Sequence, residues 1–254
     1  MNLPWNMENI IHDDILSDDY VKILPDEADI RRIKIIVTHK LGLSTGPNEN
    51  DSISSLLSNI LNRSVAIVAL LLFSPLLIVI YLLIKFTSNG PALFTQSRVG
   101  RHGKVFKIYK FRTMIQDAEQ ISGPVLSWQG DPRITSLGNF LRRTHLDELG
   151  QLINIVKGEM NFIGPRPERP EIIDTFESDL DGYHHRESVL PGITGLAQVC
   201  SPYDASPKTK LKYDLFYILN QNSITFNALI IFYTIRKILT GKLLVAKQTI
   251  SIGG

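Results

Sequence analysis

The longest apolar run of the chain extends over 20 residues, from Val65 to Ile84, with Ser74 as the polar residue near its middle. Twenty helical residues extend about 30 Å, which matches the thickness of the hydrocarbon core of a bilayer. A helix that is apolar on every face is unusual in the core of a small domain. The pattern therefore predicts a helix that inserts into a membrane.

Two features predict that this helix does not simply cross the membrane. Pro75 removes one backbone donor and clashes with the carbonyl of Leu71, so we expect a kink in which the Ser74 hydroxyl satisfies a freed backbone group. Bases flank the run on both sides, which places both flanks in the cytoplasm. We therefore predict a re-entrant helix over residues 51–88, broken at Ser74-Pro75, that enters and leaves on one face.

The segment that follows is basic and alternates with apolar residues. It carries six bases and no acid: Arg98, Arg101, Lys104, Lys107, Lys110 and Arg112. The interleaved β-branched and aromatic residues, with Gly103 between them, predict a β-hairpin. Directly after a membrane helix, such a surface suits anionic head groups or phosphates. A solvated hairpin without a ligand is the alternative.

The rest of the chain has mainly helical periodicity. Apolar residues recur at helical spacing from Ser136 to Val156 and again from Leu211 to Leu239. Within the second region, Phe226 to Ile235 lacks charge but is too short to span a bilayer, which predicts a core helix or one lying in the interface. The expected fold is mixed α/β, mainly helical with a small β-hairpin, one re-entrant membrane helix and interfacial amphipathic helices.

Composition and charge limit the alternatives. The 254 residues have a net charge of +2, which gives no reason to expect a nucleic-acid partner. Cys200 is the single cysteine, so an intramolecular disulfide is excluded, as is typical of a reducing compartment. The first fifty residues lack a signal-peptide pattern, and we expect the catalytic part to stay inside the cell. The predicted divisions are an N-terminal extension of unassigned role (1–50), the membrane helix (51–88), a catalytic domain (89–245) and a tail (246–254).

Two adjacent acids, Asp147 and Glu148, are the first candidates for chemistry. If Thr144 caps a new helix, Asp147 occupies the third helical position, where the helix dipole favours an anion and a phosphate can bind. If the helix is continuous, Arg143 shares a face with Asp147 and Arg142 is turned aside. A surface cluster of salt bridges is the alternative without a catalytic role.

A second candidate is the arginine in Gly164-Pro165-Arg166-Pro167. The two prolines restrict the backbone, so the guanidinium is presented from a stiff support and can bind a pair of phosphate oxygens. Arg186 is a further candidate, because the glycines in the segment 191–195 that follows it would let the backbone approach a ligand closely. A plain surface turn is the alternative.

The chain resembles the monotopic phosphoglycosyl transferases, bacterial sugar transferases that begin the assembly of O-antigen, capsule, exopolysaccharide or protein-linked glycans. The resemblance covers about Arg63 to Lys242. The stretches that carry it are Ser74-Pro75, Gln96-Ser97-Arg98-Val99-Gly100, Phe106 to Met114, Leu146-Asp147-Glu148-Leu149, Gly164-Pro165-Arg166-Pro167 and Pro191 to Val199.

This resemblance implies an enzyme of the bacterial inner (cytoplasmic) membrane, with its active site on the cytoplasmic face. Asp147 would attack the β-phosphate of a UDP-sugar and release UMP, and polyprenyl phosphate would then take the phosphosugar. The implied roles are as follows: Asp147 and Glu148 catalytic; Arg142, Arg166, Arg186, Lys110 and Arg112 phosphate-binding; Glu148 and Asp214 ligands of Mg²⁺. Membrane lipid is an expected partner, and further copies of the chain or downstream glycosyltransferases are candidate partners.

The sequence departs from the family pattern at several positions. His145 replaces a usual Ser, Gly150 a usual Pro, Asn227 a common Asp, and Cys200-Ser201-Pro202 the usual Asn-Gly-Arg. Two rival hypotheses follow. One is a membrane-anchored scaffold of a polysaccharide assembly complex that has lost turnover, and the other is a diphosphate hydrolase that uses water as acceptor.

Overall fold

A computed structural model describes residues 49–118, 130–180, 182–202 and 205–240. Nearly all of the predicted N-terminal extension and the whole predicted tail lie outside these residues. Within them the chain is mainly helical, and a small β-hairpin is present, as predicted from the sequence.

The first helix, α1, runs from Glu49 to Thr87 and contains the predicted membrane segment. It is the one helix among the described residues that is long and apolar enough to cross a membrane, and most of its apolar segment is exposed. The helix continues through Pro75, so the predicted break into two helical segments is not seen. The Ser74 hydroxyl donates to the Leu71 carbonyl at 2.8 Å, which is the carbonyl that Pro75 leaves without a donor.

The hairpin follows α1 directly. Strands β1 (Leu93–Val99) and β2 (Val105–Phe111) are antiparallel, with Leu93 opposite Phe111 and Val99 opposite Val105. A short 3₁₀ turn, Arg101–Gly103, connects them, and its last two residues take the left-handed conformation that closes a tight connection.

Among the described residues, six further helices and a second pair of strands follow the hairpin. The helices are α2 (Ser136–Arg143), α3 (Leu152–Lys157), α4 (Pro170–Asp179), α5 (Leu196–Cys200), α6 (Pro207–Asn220) and α7 (Ile224–Thr240). Strands β3 (Asn161–Ile163) and β4 (Gly192–Thr194) pair in parallel, and this pair was not predicted from the sequence. Two 3₁₀ segments, Leu146–Gln151 and Tyr183–Ser188, lie before α3 and before β4.

Between Ala66 and Ile84, one face of α1 packs on the remainder of the protein. Ala66 lies in a cluster with Phe106 of β2 and Ile155 of α3, and Ile80 and Ile84 lie in another cluster formed with the hairpin and α2. The other faces expose apolar side chains, among them Val68, Leu71, Leu72, Ile78, Val79 and Leu83. An exposed apolar surface of this extent is typical of contact with lipid.

Helix α7 has two faces of different character. Phe226 and Ile230 are buried against the core that α6 helps to form. The opposite face exposes Ile231, Phe232, Ile235, Ile238 and Leu239. An apolar stripe on a surface helix is typical of a helix that lies in a membrane interface, so α7 has the amphipathic character expected from its sequence.

Helix α2 packs closely against Thr113 at Gly138, and this contact can be tested by mutation. A Cβ atom at Gly138 would overlap the carbonyl oxygen of Thr113, so Gly138→Ala forces the helix away from the loop that follows β2. We expect a loss of about 1–3 kcal/mol of unfolding free energy, measured as a lower thermal unfolding temperature in detergent. Asn139→Ala, at the next and exposed position of the same helix, is the matched control; equal stability of the two variants would contradict this packing.

Candidate active site

The acidic pair lies on a short 3₁₀ turn rather than on a regular helix. Helix α2 ends at Arg143, and the Thr144 hydroxyl donates back to the Phe140 carbonyl at 2.9 Å. His145 then takes a left-handed conformation with φ of 57°, which reverses the chain direction before Asp147. Both conformations considered from the sequence are therefore wrong, because Thr144 does not cap the next helix and α2 is not continuous.

Gly150 lets this turn approach the hairpin. A Cβ atom at Gly150 would lie 2.8 Å from the carbonyl oxygen of Tyr109 on β2, so a larger residue would push the two segments apart. Asn154 of α3 also ties this region to β2. Its side chain accepts from the Tyr109 amide at 3.1 Å and donates to the Lys107 carbonyl at 2.7 Å.

Asn154 was missed from the sequence. Its side chain is fully buried within an apolar helix, α3. A single amide in a run of Leu, Ile and Val was the available signal, because a buried polar side chain is normally hydrogen-bonded and often fixes two segments together.

Two cations hold Glu148. Its Oε1 atom accepts from Lys110 Nζ at 2.8 Å and from Arg166 Nη2 at 2.9 Å. Burial by itself would raise the pKa of Glu148, but the two cations outweigh it and hold that pKa well below its usual range. The structure thus brings Lys110 of the hairpin, Glu148 and Arg166 together, three residues that the sequence marked separately.

Asp147 is in a different environment from its neighbour. The residue is 9% exposed, and within the described part of the chain its carboxylate makes no hydrogen bond. Burial raises the pKa of Asp147 and the adjacent Glu148 raises it further, while Lys110, Arg142 and His145 oppose the shift. A buried carboxylate without a hydrogen bond is held at a cost in free energy, which is common where a group must react.

Arg142 is one of the cations that act on the Asp147 carboxylate. Its Nε donates to the Thr113 hydroxyl at 2.8 Å, and its charge favours the ionised form of Asp147. A second buried pair lies near Arg142: Arg133 Nη2 contacts Asp131 Oδ2 at 2.6 Å. This pair was also missed from the sequence, although the stretch Asp131-Pro132-Arg133 just before the α2 cap Thr135 is the local signal that could have revealed it.

Arg112 was predicted from the sequence to bind phosphate, but its guanidinium lies at the C-terminal end of α1. Its guanidinium donates to the Asn89 carbonyl at 2.5 Å and to the carbonyl and hydroxyl of Ser88 at 3.0 and 2.8 Å. These groups follow the C-terminal end of α1, where carbonyl groups lack helical partners and a cation is favoured. In this structure Arg112 anchors the C-terminal end of α1 to β2.

Arg186 and Asp214 form an ion pair beneath the Pro-Arg-Pro loop. Both are buried, and Asp214 Oδ2 accepts from Arg186 Nε at 3.0 Å and lies 2.8 Å from Nη2 of the same guanidinium. Nη2 also donates to the backbone carbonyl of Arg166 at 2.8 Å. The predicted roles therefore change: Arg186 positions Arg166, and Asp214 binds Arg186 rather than sharing a metal with Glu148.

The glycines of the two loops serve a contact between loops. A Cβ atom at Gly164 would lie 2.5 Å from the Leu190 carbonyl, and one at Gly192 would overlap the Gly164 amide. The Gly164 amide donates to the Thr194 carbonyl at 2.9 Å. From the sequence we expected the glycines of segment 191–195 to let a ligand approach the backbone. In the structure the glycines instead let the two loops pack backbone to backbone. This packing fixes the position of Arg166.

The sequence of the whole site matches a known family. Residues 53–241 match the model of a family described as bacterial sugar transferase. This match includes every site residue named above and more than half of the chain. The chain belongs to the bacterial sugar transferase family.

Relatives within the bacterial sugar transferases differ in length. The chain is 44% identical over 179 residues to a UDP-N-acetylgalactosamine-undecaprenyl-phosphate N-acetylgalactosaminephosphotransferase of Aeromonas hydrophila, covering 69% of this chain and 42% of the relative. It is 40% identical over 178 residues to the UDP-glucose:undecaprenyl-phosphate glucose-1-phosphate transferase of Escherichia coli, covering 68% of this chain and 38% of the relative. It is 41% identical over 180 residues to the exopolysaccharide production protein PSS of Rhizobium leguminosarum, covering 68% of this chain and 90% of the relative.

The side chains of this bacterial sugar transferase site fit a magnesium ion at the acidic pair. Among the described residues the Asp147 carboxylate has no hydrogen bond, and Lys110 and Arg166 both contact Glu148 through its Oε1 atom. Mg²⁺ is commonly held by one or two carboxylates together with substrate phosphates and water. Asp214 does not fit as a further ligand, because it is 1% exposed and paired with Arg186.

The charge around Asp147 predicts a shift in pH dependence. Activity that requires the ionised carboxylate is lost as the pH falls through the pKa of Asp147, which lies above its ordinary value. Arg142→Met removes a cation that opposes this rise, so we expect the acid limb of the pH–rate profile to move to higher pH. Arg143→Met, the adjacent and exposed base, is the control. An unmoved acid limb in Arg142→Met would show that this arginine does not act on Asp147.

Proposed function

We propose that this protein transfers a sugar 1-phosphate from a UDP-sugar to polyprenyl phosphate, through a covalent intermediate on Asp147. The observation that carries the proposal is the Asp147 carboxylate, buried and without a hydrogen bond, next to a Glu148 neutralised by Lys110 and Arg166. The names of the Aeromonas and Escherichia relatives describe undecaprenyl-phosphate sugar phosphotransferases with UDP-sugars, which supports the same donor and acceptor classes here.

The proposed reaction has two displacement steps at one phosphorus atom. A carboxylate oxygen of Asp147 attacks the β-phosphorus of the UDP-sugar, the bond from that phosphorus to the bridging oxygen breaks, and UMP leaves with the electron pair. A phosphate oxygen of polyprenyl phosphate then attacks the same phosphorus, and the bond to the aspartyl oxygen breaks. The carboxylate is regenerated and the product is a polyprenyl diphosphate sugar.

The cations around Asp147 explain how an anion can approach a diphosphate. Phosphoryl transfer depends mainly on positioning and on neutralising charge at the phosphate oxygens. Arg166 and Lys110 carry positive charge at Glu148, and Arg142 carries another beside Asp147. Mg²⁺, when bound at Asp147 and Glu148, would neutralise further negative charge on the donor.

We propose that the site works at the cytoplasmic face of the inner membrane. The exposed apolar faces of α1 and α7 supply two lipid-contacting surfaces on one protein. The bases on both sides of the apolar run support entry and exit on the same face. This arrangement would place the acidic pair where a soluble nucleotide sugar and a lipid phosphate can meet.

The test is UMP release from a panel of UDP-sugars by membrane-embedded protein with Mg²⁺, with and without undecaprenyl phosphate. We expect one sugar to support continuous release that depends on the lipid. Without lipid, release should stop after about one equivalent, because the intermediate has no acceptor. Continuous release without lipid would instead establish a hydrolase, and no release from folded protein with any sugar would favour the scaffold hypothesis.

A further inference from the structure

Lys237 on α7 points to the inside of the protein. Helical spacing places it on the same side of α7 as the buried residues Phe226 and Ile230, and opposite the exposed apolar stripe. Its ammonium group donates to the backbone carbonyl of Gln198 in the last turn of α5. Helix α7 thus brings a base to the loops that hold Arg166.

The charge of Lys237 is not offset by an acid among the described residues. Burial and the nearby Arg166 both lower the pKa of Lys237. Arg166 contacts Glu148, which Lys110 also contacts, and among the described residues no Asp or Glu acts on the pKa of Lys237. Two like charges are therefore held near each other, an arrangement that a bound anion would stabilise.

Gln198 provides an independent observation at the same place. Both polar atoms of its side chain, Nε2 and Oε1, are buried and have no hydrogen-bond partner. Oε1 would lie 2.6 Å from a Cβ atom at Gly195, and that same Cβ would overlap the Gly164 carbonyl, two residues before Arg166. A buried amide without a partner is rare in folded proteins, and a ligand that hydrogen-bonds to it recovers the cost of its desolvation.

We infer that Lys237 and the Gln198 side chain form a subsite for a phosphate group beside Arg166. This subsite deepens the proposed function and rests on it. The residues after Gln198, Cys200-Ser201-Pro202, carry no base, so Lys237 supplies a positive charge at this end of α5 from a different element. The phosphate belongs either to the donor diphosphate or to the polyprenyl phosphate acceptor, and the experiment separates the two.

The experiment measures kcat and the KM values of both substrates for Lys237→Met, Lys237→Arg and the control Arg236→Met. Methionine keeps the apolar stem of the side chain and removes its charge. We expect Lys237→Met to raise one KM about 10-fold, the size expected for one charge-assisted hydrogen bond, with kcat changed much less. Lys237→Arg should stay near wild type. A raised donor KM assigns the subsite to the diphosphate, and a raised acceptor KM assigns it to the lipid phosphate.

Unchanged KM values for both substrates in folded Lys237→Met would overturn the inference. If Lys237→Met does not fold, Lys237→Gln takes its place with the same criteria. If the wild type releases UMP from no donor, the proposed function has failed by itself. The subsite is then judged by calorimetric binding of inorganic pyrophosphate, where weaker binding by Lys237→Met supports it and equal binding overturns it.

Discussion

Asp147→Asn is expected to reduce lipid-dependent UMP release by about 10³-fold or more, because an amide cannot form the phosphosugar ester that the proposed mechanism requires. The same variant should give no burst of UMP in the absence of lipid. It should also fail to retain label after incubation with a UDP-sugar labelled in the β-phosphate. The measurement is single-turnover UMP release together with protein-bound label after denaturation.

A matched control separates loss of the nucleophile from loss of negative charge. Asp174→Asn removes an exposed carboxylate on α4 and should keep both the burst and the label. Label retained by Asp147→Asn at the wild-type level would assign the covalent role to another residue. Turnover without any label in the wild type would replace the two-step mechanism by direct transfer between the substrates.

Arg186→Met is expected to have the largest effect on stability. It leaves Asp214, which is 1% exposed, as a buried carboxylate without its cation, and breaking a buried ion pair in this way costs about 3–5 kcal/mol. The unfolding temperature in detergent should fall by on the order of 10 °C for a domain of this size. Because the loss also frees the Arg166 carbonyl from Arg186, kcat should fall as well.

The stability effect of Arg186→Met should depend on pH. Burial raises the pKa of Asp214 to about 6 even with Arg186 beside it. A raised pKa means that the folded state favours the protonated acid, so this contribution to stability is present at low pH and is lost as the pH rises through about 6. Without Arg186 the pKa rises further, and the difference from wild type should be smaller at pH 5 than at pH 8.

The double variant Arg186→Met/Asp214→Leu tests whether the unpaired charge is the cause. Replacing both partners of a buried pair by apolar residues is often neutral for stability, so most of the lost unfolding temperature should return. Activity should stay low, because the hydrogen bond to the Arg166 carbonyl is still absent. If the double variant is as unstable as Arg186→Met, the loss of stability comes from altered packing and not from the unpaired charge of Asp214.

The long apolar helix, the hairpin and the helical character of the rest were predictable from the sequence. Each depends on residues close together in the chain: the uninterrupted apolar run of α1, the alternation along β1 and β2, and the helical spacing of α7. The hydrogen bond from Ser74 to the carbonyl that Pro75 leaves free is local in the same way. The motifs also sufficed to recognise the family, since family patterns are short and ordered along the chain.

The partners of the charged side chains were decided by the tertiary structure. Arg112 binds the end of α1, Asp214 binds Arg186, and Glu148 binds Lys110 and Arg166, although the sequence offered several opposite charges for each. A sequence pattern gives the type and spacing of charges, but which of them a long side chain reaches depends on how distant segments pack. The left-handed residue His145 and the contact between the loops at Gly164 and Gly192 are of the same kind. The sequence alone determined the long apolar helix, the hairpin, the main helical regions and the family, and only the packing of those elements determined which groups face Asp147.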